Sequence, residues 1–140
     1  MAAQESAIVR DALWLKGLTI LIAEDDPTNY RLLVAMLKSS GAKIYWAQDG
    51  QEAITFVKNK PQDERCLVLM DIKMPVMDGF EANRQIKLID RNIPVIAVTA
   101  YAQIPDREKI MSSGFNGYIS KPFKLDTLIT ELSRHVTLPE

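Results

Sequence analysis

The chain alternates between two kinds of hydrophobic pattern. Leu18–Ala23 (LTILIA), Cys66–Met70 (CLVLM) and Ile93–Val98 (IPVIAV) are short and continuously apolar, the pattern of strands covered on both faces. Lys43–Ala47 (KIYWA) mixes polar with apolar positions and reads as a more exposed strand, and Tyr118–Ser120 is a shorter fifth candidate. The segments between them carry helical spacing. Asp26 and Pro27 suit the cap and first position of a helix whose face continues through Leu33, Met36, Leu37 and Ser40 until Gly41 stops it. Asp49 followed by Glu52 forms a reciprocal capping pair ahead of Ala53, Ile54 and Val57. Further helices are predicted from about Phe80 to Ile89 and from about Pro105 to Ser113, with Gly114 as the stop. Leu125, Leu128, Ile129, Leu132 and Val136 mark the last helix. Strand and helix repeat in strict alternation, and parallel strands with right-handed crossovers are the natural arrangement.

The apolar runs end on polar groups. Leu18–Ala23 stops at Glu24, Asp25 and Asp26, Cys66–Met70 at Asp71, Ile93–Val98 at Thr99, and Tyr118–Ser120 at Lys121 and Pro122. In an open parallel sheet these residues share one edge, where ligands bind outside the carboxyl ends of the strands. Carboxylates, a hydroxyl and an ammonium gathered there can hold a divalent cation and a phosphoryl group.

The remaining features mostly exclude. At 140 residues the chain has the length of one domain. Its net charge of −1, with no block of Lys or Arg, gives no grip on nucleic acid. One cysteine, Cys66, rules out an intrachain disulfide framework; lying in an apolar run, it reads as buried filler of a reducing, cytoplasmic compartment. No apolar stretch approaches the ~18 residues of a membrane span, so no membrane contact is expected. There is no GxxxxGK[ST] or GxGxxG phosphate loop, and His135, near the end of the last helix, suits the helix dipole rather than phosphodonor chemistry. Residues 1–17 stand outside the repeat, although Ile8, Ala12 and Leu15 are helically spaced. They read as a linker or an artificial leader ahead of a domain at 18–137.

The segments ILIAEDDPTN, LVLMDIKMPVMDG, VIAVTA and GYISKPF resemble, in order and spacing, those of the receiver domains of two-component response regulators. The resemblance covers about residues 18–136. With Glu24, Asp25 and Asn29 as an E-D-x-x-x-N run, it is most similar to receivers of hybrid sensor histidine kinases and phosphorelays. It implies a flavodoxin-like α/β fold, a doubly wound five-stranded parallel sheet in the order 2-1-3-4-5. It further implies that Asp71 is the phosphoacceptor, forming an acyl phosphate, and that a histidine kinase or histidine phosphotransfer domain is the partner.

Adjacent carboxylates at a strand end repel unless a cation neutralises them, and a hard divalent ion keeping several waters points to Mg²⁺. The family's acidic pair falls on Glu24 and Asp25. Asp25 is then a direct ligand and Glu24 acts through water, with Asp71 and the backbone carbonyl of Lys73 completing the set. Asp26 reads as the cap before Pro27, and Asp78 as the cap of the helix after Asp71. By the same resemblance Thr99 and Lys121 bond the phosphoryl oxygens, Ala100 leaves room for them, and the Lys121–Pro122 bond is cis. Lys121 pairs with Asp71 in the unphosphorylated state. Tyr118 switches rotamer with Thr99, coupling the site to the face of the fourth helix, last strand and last helix, a surface also suited to a phosphorylation-dependent dimer. Lys73 and Tyr101 tune the lifetime of the acyl phosphate.

Such a domain is a switch rather than a turnover enzyme. Two other functions fit parts of the pattern. A small-molecule phosphatase with an aspartyl-phosphate intermediate usually places a second carboxylate two residues on, where this chain has Lys73. A degenerate receiver used only for binding conflicts with the complete set Glu24, Asp25, Asp71, Thr99 and Lys121. The leader and the phosphorelay-like motif favour a piece of a hybrid kinase over a stand-alone receiver.

Overall fold

The structure is a computed structural model that describes residues 13–100 and 103–136. Five strands, β1 (Thr19–Ala23), β2 (Lys43–Ala47), β3 (Cys66–Asp71), β4 (Val95–Thr99) and β5 (Gly117–Ser120), alternate with five helices among the described residues. These are α1 (Pro27–Leu37), α2 (Gly50–Asn59), α3 (Gly79–Ile89), α4 (Ile104–Ser112) and α5 (Leu125–Ser133). All strand pairs are parallel and the order is β2-β1-β3-β4-β5. Chain order reverses between β1 and β3, which makes their carboxyl ends the switch point of the sheet.

The two-residue period of the strands divides the core. Leu21, Ala23, Val68, Met70, Val95 and Ala97 face one side with Ala53, Ile54 and Val57 of α2, Ala82 and Ile86 of α3, and Ile110 of α4. Ile20, Ile22, Leu67, Leu69, Ile96, Val98 and Ile119 face the other with Leu33 and Leu37 of α1 and Leu128, Ile129 and Leu132 of α5. Central strands covered on both faces explain the uninterrupted apolar runs. The edge strand β2 is exposed at Lys43 and Tyr45, as its mixed composition predicts.

The helix starts follow from their caps. Asp26 accepts from the Thr28 N–H at 2.8 Å with Pro27 in the first turn. Asp49 accepts from the Glu52 N–H at 2.8 Å, and Glu52 reaches back to the Gln48 N–H at 2.9 Å. Asp78 accepts from the Glu81 N–H at 2.9 Å. Each such cap contributes about 1 kcal/mol. The predicted fourth strand starts two residues too early: Ile93 is buried but precedes Pro94, and the ladder begins at Val95.

The end of the leader belongs to the packed structure. Trp14 and Leu15 join the α1–α5 side of the core, and the Leu15 N–H donates to the Ser40 carbonyl at 2.7 Å. Ile8 and Ala12 lie outside the described residues. No described helix is long and apolar enough to cross a membrane.

Candidate functional site

The carboxyl ends of β1 and β3 bring Glu24, Asp25 and Asp71 together, with one oxygen of each within 4.8 Å of the others. Glu24 is 2% exposed, and a buried carboxylate must be fully bonded. Its Oε1 accepts from Lys121 Nζ at 2.9 Å and its Oε2 from the Asp26 N–H at 3.2 Å. Its backbone is fixed as well. The Glu24 N–H donates to the Ala47 carbonyl at 2.9 Å, and Trp46 Nε1 donates to the Glu24 carbonyl at 2.7 Å. Tyr30 of α1 stacks on Trp46, ring centroids 4.3 Å apart. Asp25, next in the chain, faces solvent.

Asp71 closes β3, its side chain 13% exposed. The Lys73 N–H lies 3.4 Å from Asp71 Oδ1. Gly79 lets the chain return this close, because a Cβ there would strike the Asp71 carbonyl. Thr99 is buried at the end of β4, and its carbonyl accepts from the Lys121 N–H at 2.7 Å. The Lys121–Pro122 bond is cis. The Lys121 ammonium stands 3.6 Å from Asp71 Oδ2 but only 2.9 Å from Glu24. Glu24, not Asp71, is its nearer partner, a preference of tertiary geometry that sequence spacing does not carry. Tyr118 is half-buried, and its hydroxyl accepts from Arg107 Nη1 at 3.3 Å. Ala100, exposed, borders an apolar recess of about 290 Å³ with Asn29, Leu32, Val98 and Phe123. Tyr101 lies outside the described residues.

Lys121 pairs with two of the three carboxylates, and the titration of Glu24, Asp25 and Lys121 is displaced. Burial pushes the Glu24 carboxyl up; the hydrogen bonds from Lys121 and Asp26 pull against this without reversing it. Desolvation and the contact with Glu24 raise Asp25 as well. Burial pulls the Lys121 ammonium down, but its bond to Glu24 and the charges of Asp71 and Glu24 outweigh that and hold it above the ordinary lysine value. An all-oxygen cluster with excess negative charge and one exposed member suits a hard divalent cation that keeps several waters.

Sequence reasoning missed Trp46 and Tyr30, which brace Glu24. Two aromatic residues near a strand and a helix end carry no signal of that role until the register Ile22↔Trp46 is known.

This geometry agrees with comparisons to known proteins. The model of the response regulator receiver domain matches residues 20–133, and the chain belongs to that family. It is therefore a receiver domain of two-component and phosphorelay signalling, a class that works as switches rather than conventional enzymes. It is 41% identical over 117 residues to the sensor protein EvgS of Escherichia coli K12, covering 84% of this chain and 10% of EvgS. Across the first relatives the chain spans only 6% to 14% of their length. Among solved structures it is similar to the receiver domain of a sensor histidine kinase from Pseudomonas aeruginosa, which has a magnesium ion coordinated in its active site cleft. That likeness is 38% identity with a TM-score of 0.75, over 84% of this chain and 96% of that one. It is also similar to the co-crystal structure of the receiver domain of the response regulator Ssk1 with the histidine phosphotransfer protein Ypd1 from Saccharomyces cerevisiae. There the identity is 28% and the TM-score 0.75, over 84% of this chain and 88% of that one.

Proposed function

We propose that Asp71 accepts a phosphoryl group from a phosphohistidine and that the resulting acyl phosphate shifts the conformation of the α4–β5–α5 face. The observation that carries this reading is the convergence of Glu24, Asp25, Asp71 and Lys121 at the switch point of the sheet. A carboxylate oxygen of Asp71 attacks phosphorus, the new O–P bond forms as the P–N bond breaks, and the imidazole leaves. Asp25, Asp71 and the Lys73 carbonyl would hold Mg²⁺ directly and Glu24 through water; when bound, the ion supplies charge neutralisation between the carboxylates and the incoming group. Lys121 moves its charge from Glu24 and Asp71 toward a phosphoryl oxygen, Thr99 donates its hydroxyl to another, and Tyr118 follows Thr99. The donor is a histidine kinase or histidine phosphotransfer domain in the cytoplasm, and the parent protein is a hybrid histidine kinase. The α4–β5–α5 face carries the output, including any phosphorylation-dependent dimer, without nucleic-acid contact by this chain.

Incubation with acetyl phosphate and Mg²⁺, read by intact mass, tests the reading. One labile phosphoryl adduct is expected on the unmodified chain and none on Asp71→Asn. An unlabelled wild-type chain would leave a binding-only receiver, and multiple turnovers on phosphomonoesters would favour a phosphatase.

A further inference from the structure

The β1–β2 ladder ends at the carboxylate cluster. Its last backbone bond runs from the Glu24 N–H to the Ala47 carbonyl at 2.9 Å. Beyond that point the chain of β2 leaves the sheet, with Asp49 capping α2, and the Glu24 carbonyl receives the Trp46 indole N–H at 2.7 Å. A side chain thus supplies the next step of a ladder that the backbone has left. The ring is itself held. Tyr30 of α1 stacks on it at an interplanar angle of 6°, and the Tyr30 N–H donates to the Asp26 carbonyl at 3.0 Å. Segment 24–30 therefore closes on itself through Trp46.

An edge-strand aromatic against a helix is usually packing, and Tyr45 shows that case. It lies on the opposite face of the sheet and packs on Phe56, ring centroids 5.0 Å apart. Trp46 adds what packing does not require, a polar atom aimed at the peptide that joins Glu24 to Asp25. The neighbours of Asp25 have their carboxylates bonded within the chain, Glu24 to Lys121 and Asp26 to the Thr28 N–H. Asp25 is exposed, with a carboxylate oxygen within 4.8 Å of those of Glu24 and Asp71. Holding the Glu24 carbonyl fixes the plane of that peptide, and with it the Asp25 Cα from which the carboxylate reaches out.

We propose that Trp46 is a positioning residue that sets the cation preference of the site: its indole N–H, bonded to the Glu24 carbonyl, holds Asp25 at the spacing that suits Mg²⁺ and disfavours Ca²⁺. This rests on the reading of Asp25, Asp71 and the Lys73 carbonyl as ligands of a divalent ion. Mg²⁺ demands near-ideal geometry at about 2.0–2.1 Å, whereas Ca²⁺ accepts looser ligands at about 2.3–2.6 Å, so rigidity of the ligand frame discriminates between them. Groups that orient ligands without touching the metal tune affinity in this way.

Isothermal titration with Mg²⁺ and with Ca²⁺ tests this on wild type, Trp46→Phe, Tyr30→Leu and Tyr45→Leu. Trp46→Phe keeps a ring against Tyr30 and loses only the donor. Its Mg²⁺ dissociation constant should rise about tenfold and its Ca²⁺ constant by less than about threefold. Tyr30→Leu, which keeps the indole but removes the ring that holds it, should shift the same ratio by a smaller factor. Tyr45→Leu removes the other stacked pair of β2 and should leave the ratio at the wild-type value, whatever it does to stability. Labelling of Trp46→Phe by acetyl phosphate should be slow at limiting Mg²⁺ and recover at saturating Mg²⁺. Equal Mg²⁺ and Ca²⁺ losses in Trp46→Phe, an unchanged Mg²⁺ affinity, or the same ratio shift in Tyr45→Leu overturn the role of Trp46. If wild type takes up no Mg²⁺, the metal reading of the carboxylates has failed, and the proposal with it.

Discussion

The two ends of this sheet treat polar groups in opposite ways. At the amino end several polar side chains bond to one another or to the backbone. Lys87 Nζ donates to the Ile93 carbonyl and to Asn116 Oδ1, both at 2.6 Å, and Asn116 Oδ1 also accepts from the Val95 N–H at 2.9 Å. Thr19 Oγ1 donates to Glu64 at 2.7 Å, and Glu131 lies between Arg134 at 3.1 Å and His135 at 2.6 Å. At the carboxyl end one oxygen from each of three carboxylates lies within 4.8 Å of the others, and Lys121 pairs with two of them. The same fold therefore contains polar groups that are satisfied in small separate sets and one carboxylate cluster with more negative groups than the single lysine paired with it. A closed network stabilises the fold; an open one waits for a ligand.

Removing one cation from each end should break this comparison most visibly. Lys87→Met should lower stability by about 1–2 kcal/mol, through the bonds lost to the Ile93 carbonyl and to Asn116, whose Oδ1 keeps the Val95 N–H, and Mg²⁺ should not restore it. Lys121→Met should cost roughly 1–3 kcal/mol, because Glu24 stays buried without its partner, and here Mg²⁺ should recover part of the loss. Urea melts of both variants with and without Mg²⁺ check this. Equal responses to Mg²⁺ would erase the distinction between the two ends.

A smaller effect follows from pH. Glu24 and Asp25 titrate above their ordinary values of 4.5 and 3.8 in the fold. The folded state thus holds these protons more tightly than the unfolded chain does. In Mg²⁺-free buffer this pair contributes stability that is fully present below those ordinary values and is lost as pH rises through the folded ones. The difference in urea midpoint between Glu24→Gln and wild type should therefore widen in favour of the variant as pH increases from about 4 toward neutrality. Saturating Mg²⁺ should flatten it.

The smallest expected effect is at Cys66, at the amino end. Burial pushes its thiol up to about 11, so it should resist a disulfide reagent at neutral pH in the native protein and react at once in urea. Its raised value implies stability fully present below about 9.0 and lost as pH climbs toward 11. Fast native labelling would show that the amino edge is open to solvent.

Much of this was legible from residues alone because burial on two faces leaves a plain mark. Three apolar runs located β1, β3 and β4, and Asp26, Asp49 and Asp78 marked the helix starts through cap chemistry that is local in sequence. What stayed hidden depends on contacts distant in the chain. Trp14 and Leu15 looked like part of a detached leader, yet they complete the core beside α1 and α5. Lys121 pairs with Asp71 at 3.6 Å, but the closer partner at 2.9 Å is Glu24, a preference set by a difference of under an ångström. The Lys87–Asn116 bond joins residues 29 apart, and neither type announces a partner.

The most direct test of a carboxyl edge built short of positive charge is a Mg²⁺ titration of stability in wild type and Asp71→Asn. Without Mg²⁺, Asp71→Asn should be at least as stable as wild type, because one of the competing carboxylates is gone. At about a hundred times its dissociation constant, Mg²⁺ should stabilise wild type by about 2–3 kcal/mol and Asp71→Asn by less than half of that. Equal stabilisation of the two chains, or an Asp71→Asn chain that is weaker without the ion, would contradict the account.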